Sequence, residues 1–190
     1  MLEAFISALL FSFLGEIADK TQLIILGLAL KYKAPFKVFL GALLGHAVMD
    51  VIAIILGYYF SFAFSSNIFS NLVGLSFILL GVYGLSKKYI IKKKKEKKLK
   101  TIKTKMPLII SFLTVLVVEV GDKTQVASAL LAAKYLQPLP IILGVILGLS
   151  ITIALNVFIG KKLAEKIPRN IIKLSTYILF ILFGVFTIIF

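Results

Sequence analysis

The sequence predicts an all-α integral membrane protein of six transmembrane helices, arranged as two inverted repeats of three. Three observations predict it. Of the 190 residues, 60% are hydrophobic and the mean hydropathy is +1.05, whereas soluble domains are roughly 45–50% apolar. The apolar residues fall into six runs, each near or above the roughly 20 residues a bilayer requires. The first half of the chain also superposes on the second at a constant offset of 103 residues, without a gap.

The six runs cover 4–31, 37–61, 67–87, 107–134, 138–161 and 169–190. Turn chemistry separates them: "KYKAPFK" around Pro35, "SSN" at Ser65 to Asn67, "KYLQPLP" around Pro138 and Pro140, and "EKIPRN" around Pro168. The first and fourth runs are longer than a perpendicular span needs, so each must tilt or break locally. Residues 1–87 form the first repeat, 88–106 a basic linker, and 107–190 the second repeat.

Polar residues carry the repeat. At the 103-residue offset Glu16, Asp19, Lys20, Thr21 and Gln22 fall on Glu119, Asp122, Lys123, Thr124 and Gln125. Lys31, Tyr32 and Pro35 fall on Lys134, Tyr135 and Pro138, and Gly41, Gly45, Gly57 and Gly81 on Gly144, Gly148, Gly160 and Gly184. Apolar matches between two greasy halves would mean little, but aligned acids, amides, glycines and prolines do not arise that way. Three spans are an odd number, so the second copy enters the membrane from the opposite side, an architecture that places a binding site at the repeat interface. The paired glycines allow helices to approach closely.

Charge orients the chain. Eleven of the 22 basic residues lie between Lys87 and Lys105, which marks this loop as cytoplasmic and brings it within reach of anionic lipid headgroups. Alternation then places Lys31, Lys33 and Lys37 on the same side, with Lys161, Lys162, Lys166, Arg169 and Lys173. Only Lys134 lies opposite, so both termini face outward, the expected location being the plasma membrane. The opening "MLEAFISALL" has no positive n-region and predicts no cleaved signal peptide. No aromatic-interleaved basic surface supports nucleic-acid binding. With no cysteine, disulfides, thiolate metal sites and cysteine nucleophiles are excluded.

The chemistry sits in "GEIADKTQL" and its copy "VEVGDKTQV". On a helix Glu16, Asp19, Lys20 and Leu23 share a face, as do Glu119, Asp122, Lys123 and Val126. Each charge at a span centre costs about 2.5–3.5 kcal/mol on insertion scales, so all six must face a bundle interior or a watery cavity. Read structurally, they form the ion pairs Glu16–Lys20 and Glu119–Lys123. Two lysines balance only two of the four carboxylates, however, and the two remaining negative charges are neutralised by one divalent cation or by two protons. Metal and protons would compete for the same oxygens, the minimal chemistry of a cation/proton exchanger.

Glu16, Asp19, Glu119 and Asp122, with amide oxygens of Gln22 and Gln125 and hydroxyls of Thr21 and Thr124, form an all-oxygen ligand set. Such a set suits Ca²⁺, Mn²⁺ or Mg²⁺ better than zinc or copper. On a continuous helix Thr21 and Gln22 would point away from the Glu16 face. Either the helix unwinds at the motif, or these residues serve a neighbouring helix. Lys20 and Lys123 act as charge-balancing groups, and no resident cofactor is expected.

"EIADKTQ" and "EVGDKTQ" resemble the paired E-x-G-D-K-T motifs of the small cation/proton exchangers that include the Golgi calcium/manganese transporter, thylakoid relatives and bacterial manganese exporters. The resemblance covers the whole chain. It implies that the acids of both motifs, here Glu16, Asp19, Glu119 and Asp122, coordinate the transported cation. It also implies proton-coupled export of Mn²⁺, with Ca²⁺ as the rival substrate. Ala18 departs from the pattern where Gly121 keeps it, which suggests a close-packing role for that glycine rather than a conformational one.

His46 and Asp50 lie one turn apart in the second span; they offer a proton relay or, more simply, a local His–Asp hydrogen bond. Their repeat counterparts are Leu149 and Ile153. Ser150, Thr152 and Asn156 read as helix–helix hydrogen bonds, and Tyr32, Tyr58, Tyr59 and Tyr135 as interfacial aromatics. Two other functions compete. An intramembrane aspartyl hydrolase would use Asp19 and Asp122 as a dyad, but the adjacent lysines oppose the shared proton a dyad needs. A passive cation channel or accessory subunit fits two inverted halves less well than alternating access does. No enzymatic activity is expected.

Overall fold

A computed structural model describes residues 1–17, 19–62, 66–90, 106–159 and 169–189, and among these every regular element is helical. The basic linker between Ile90 and Met106 lies outside the described residues, as do Ala18, Gly160 and the cationic residues Lys161, Lys162 and Lys166.

The first run is two helices, α1 (Leu2–Glu16) and α2 (Lys20–Tyr32). α3 (Pro35–Ser61) and α4 (Ser66–Ile90) complete the first half. The second half repeats the order with α5 (Pro107–Val118), α6 (Lys123–Tyr135), α7 (Pro138–Ala154) and α8 (Arg169–Ile189). α7 continues into a π-helical turn, Leu155–Ile159. Prolines at the first helical positions start α3, α5 and α7, where the missing N–H would have no partner anyway.

The local backbone recurs at the sequence offset. Both long runs break at the acidic motif, where the Asp19 N–H donates to the Glu16 carbonyl at 3.1 Å and the Asp122 N–H to the Glu119 carbonyl at 3.1 Å. α2 and α6 are each followed by a left-handed residue, Lys33 (φ 50°) and Leu136 (φ 54°). The residues preceding α3 and α7, Ala34 (φ −133°) and Gln137 (φ −130°), adopt nearly the same conformation.

The helices pair across the halves: α1 lies along α7, α5 along α3, and α4 along α8. Small residues set the first two contacts. A Cβ added at Gly41 or Gly45 of α3 would come within 3 Å of the Leu108 or Phe112 carbonyl oxygen of α5. One at Gly144 or Gly148 of α7 would meet the Phe5 or Leu9 carbonyl of α1 just as closely. Phe11 on α1, Phe77 on α4 and Phe180 on α8 close the interior, with ring centroids 5.2–5.9 Å apart.

Ionisable groups are buried beside the apolar core, and large apolar side chains also cover the surface. Glu16, His46, Asp50 and Glu119 are at most 3% exposed, while Leu56, Tyr59, Val117 and Leu182 are more than 60% exposed. Exposed apolar side chains in this number fit an apolar surrounding. Among the described residues two helices, Pro35–Ser61 and Pro138–Ile159, are long and apolar enough to cross a bilayer.

Candidate cation site

The break in each long run creates the site. α1 ends at Glu16 and α5 at Val118, so their last carbonyls point toward the gap, and the first N–H groups of α2 and α6 face it from the other side. Both alternatives open for Thr21 and Gln22 are met: the helix breaks at the motif, and Thr21 reaches Glu119 at the end of the neighbouring helix α5. The single helical face through Glu16, Asp19, Lys20 and Leu23 therefore does not exist as such. Gly121 has φ +71°, and nothing lies within 4 Å of the position its Cβ would take. Its role is conformational, contrary to the packing role expected; a left-handed residue at this turn costs a side chain roughly 1–2 kcal/mol. Ala18, the matching position, lies outside the described residues.

The two motifs cross-connect. The Thr124 hydroxyl donates to Glu16 Oε1 at 2.9 Å, and Thr21 hydrogen-bonds the Glu119 carboxylate. Each threonine of one motif thus holds the glutamate of the other. The Lys123 ammonium ion-pairs with Asp19 of the opposite motif and lies 3.7 Å from Asp122 of its own. The expected Glu119–Lys123 pair is replaced by these contacts, because the break at Val120 and Gly121 removes the helical turn that would bring residues 119 and 123 together. The Lys20 side chain, and with it the expected Glu16–Lys20 pair, lies outside the described residues.

Asp122 occupies the N-cap position of α6 without making a side-chain cap bond; Thr124 approaches it at 3.4 Å. Carboxylate oxygens of Glu16, Asp19 and Asp122 all lie within 4.8 Å of one another. A cation with oxygen ligands at about 2.3–2.6 Å accepts donor atoms up to roughly 5 Å apart, so one ion fits this group. The amides are used differently. Gln125 Oε1 accepts the Gly121 N–H at 3.0 Å and so braces the turn. Gln22 is 3% exposed, and neither end of its amide has a hydrogen-bond partner.

α3 contributes the asymmetric residues. Asp50 accepts a hydrogen bond from Ser128 of α6 at 3.0 Å, a partner with no sequence signal, since Ser128 corresponds to Ile25 in the first repeat. His46 Nε2 is buried without a hydrogen-bond partner, so no local His–Asp bond forms through that nitrogen. On α7, Thr152 donates to the Gly148 carbonyl at 2.9 Å and reaches the Phe13 carbonyl of α1 at 3.5 Å. Asn156, in the π-helical turn, donates to the Gln22 backbone carbonyl. Ser150 bonds only within its own helix, to the Ile146 carbonyl at 2.7 Å.

Carboxylates carried by two broken helices thus meet within reach of one cation. The sequence matches the family described as "Divalent cation/proton antiporter GDT1" over residues 4–91 and 107–190. The chain belongs to this family. Among GDT1 relatives, a Vibrio cholerae protein named "Putative manganese exporter" is 32% identical over 179 residues, covering 92% of this chain and 84% of its own. The "GDT1-like protein sll0615" of Synechocystis sp. is 31% identical over 201 residues, covering 97% and 96%. No solved structure gives a significant match. GDT1 membership makes the chain a transporter of the membrane class, and the residues the family match spans include both acidic motifs.

Proposed function

We propose that the chain exchanges a divalent cation for protons across the plasma membrane and exports Mn²⁺ from the cytoplasm, with Ca²⁺ as the competing substrate. The observation that carries the proposal is the convergence of the Glu16, Asp19 and Asp122 carboxylates at the motif breaks, with Glu119 tied to them through Thr21. The name of the Vibrio cholerae relative supports the choice of Mn²⁺.

In this reading Glu16, Asp19, Glu119 and Asp122 hold the cation. Thr21 and Thr124 aim the glutamates, and Gln22 supplies an amide oxygen. Lys123 and Lys20 balance two of the four carboxylate charges, and the cation or two protons balance the other two. The two halves act as inverted three-span repeats, α1/α2–α3–α4 and α5/α6–α7–α8, and alternate access to the site between them. The pairing of α1 with α7 and of α3 with α5 supports this exchange symmetry. Both termini lie outside, and the basic segment 88–106 lies in the cytoplasm against anionic headgroups. The Lys123 contacts to Asp19 and Asp122 disfavour an aspartyl dyad, which needs one proton shared between two acids.

The test is transport by purified protein in liposomes under an imposed pH gradient, following Mn²⁺, Ca²⁺ and Mg²⁺. Wild type should move Mn²⁺ at a rate set by the gradient, and Asp122→Asn should abolish the movement. Flux indifferent to both the gradient and the substitution would refute exchange.

A further inference from the structure

We propose that His46 is a ligand of the transported ion, and that its nitrogen makes the site prefer Mn²⁺ to Ca²⁺ and Mg²⁺. The inference rests on the exchanger reading for the identity of the ion, but the coordination it asserts can be tested without transport.

Three facts place His46 in the site. A ring nitrogen of His46 lies within 4.8 Å of carboxylate oxygens of both Glu16 and Glu119, which are equally close to each other. All three side chains are at most 2% exposed. His46 Nε2, Glu16 Oε2 and Glu119 Oε2 are each buried with no hydrogen-bond partner. A buried polar atom left unpaired costs about 1–3 kcal/mol. Three of them on residues that converge on one point satisfy one another only through something placed among them. Two carboxylate oxygens and one imidazole nitrogen at this spacing suit a single divalent cation.

The position is not duplicated. The repeat counterpart of His46 is Leu149, so the nitrogen enters from α3 alone and gives an otherwise two-fold oxygen site one distinct ligand. Glu16 belongs both to this group and to the group with Asp19 and Asp122, which makes it the shared corner of the two. Carboxylate and amide oxygens alone bind Ca²⁺ and Mg²⁺ well, whereas imidazole is a ligand these hard ions take up poorly and transition metals accept. Replacing one oxygen by nitrogen therefore shifts selectivity without changing the acids that pay for dehydration.

His46 is the sole histidine of the chain, which makes it addressable by isotope. The experiment is pulsed electron paramagnetic resonance of Mn²⁺ bound to the detergent-solubilised protein, carried on a histidine-free purification tag. One sample has natural abundance and one has ¹⁵N-histidine. A directly coordinated imidazole gives a ¹⁴N modulation that changes to the ¹⁵N pattern in the labelled sample. In liposomes, His46→Gln and His46→Leu should lower the ratio of Mn²⁺ to Ca²⁺ apparent affinity at least tenfold. Bound Mn²⁺ without histidine nitrogen coupling overturns the proposal, as does a Mn²⁺/Ca²⁺ ratio unchanged in both variants. Nitrogen coupling in a protein whose flux ignores the pH gradient refutes exchange and leaves the ligand assignment standing. Proton-driven flux without nitrogen coupling does the reverse.

Discussion

Glu16 and Glu119 are fully enclosed, and each relies on a threonine of the opposite motif for one of its hydrogen bonds. A hydrogen bond to a charged group contributes about 1.5–3 kcal/mol, and leaving the acceptor unpaired adds to the loss. Thr124→Val should therefore lower divalent-ion transport on the order of tenfold, whereas Thr124→Ser, which keeps the hydroxyl, should stay close to wild type. Initial rates in liposomes distinguish them; equal rates for valine and serine would deny the threonine its role. Gly121 provides a second case, because its constraint is dihedral and not steric. Gly121→Ala should lower the thermal midpoint of the solubilised protein by an amount corresponding to about 1 kcal/mol, and Gly121→Asn by less, since asparagine visits the left-handed region more readily. Identical losses would mean that the space, not the φ angle, matters. The six charged motif residues were evident from their place inside two long apolar runs. The bond partners were not, because Thr124 to Glu16 and Lys123 to Asp19 each join residues more than 100 positions apart.

The helices themselves follow the hydropathy closely. α3 and α7 with its π-helical turn occupy 35–61 and 138–159, against expected runs of 37–61 and 138–161. The breaks at the motif were foreseen only as one option, since Glu16, Asp19 and Lys20 have the spacing of a continuous helix and the left-handed turn at Gly121 leaves no trace in hydropathy. His46 was visible as a possible proton relay or as a partner of Asp50, but not as a neighbour of Glu16 and Glu119. Repeat symmetry pointed away from it, and only the packing of α3 against both α5 and α6 brings it to Glu119. Helix contacts are testable through the glycines. Gly41→Val and Gly144→Val should each destabilise the protein by several kcal/mol, because the new atoms would overlap a facing backbone carbonyl that cannot move aside. Gly27→Ala should be neutral or slightly stabilising, because nothing lies within 4 Å of its added Cβ and alanine favours helix. Thermal unfolding in detergent reads all three, and loss at Gly27 comparable to that at Gly41 would contradict this account of the contacts.

For the molecule as a whole, charge balance governs what can move. Four carboxylates and two lysines leave two negative charges, which one divalent cation or two protons neutralise. The exchange of one for the other should carry no net charge. Clamping the liposome potential with a potassium ionophore should therefore leave the Mn²⁺ rate unchanged, and a rate that tracks the imposed potential would show that the count is wrong. The internal repeat was plain in the sequence because five polar residues recur in register. The opposed orientation proposed for the two copies rests on an odd number of spans per copy and not on any single residue. The central claim, that metal and protons compete for one set of oxygens, is tested most directly in the reverse direction. Liposomes loaded with a pH-sensitive dye and given an inward Mn²⁺ gradient, with no pH gradient imposed, should become alkaline inside as protons leave, and Asp122→Asn should stop both movements. Mn²⁺ entering with no change in internal pH, or entering equally well through Asp122→Asn, would contradict the account.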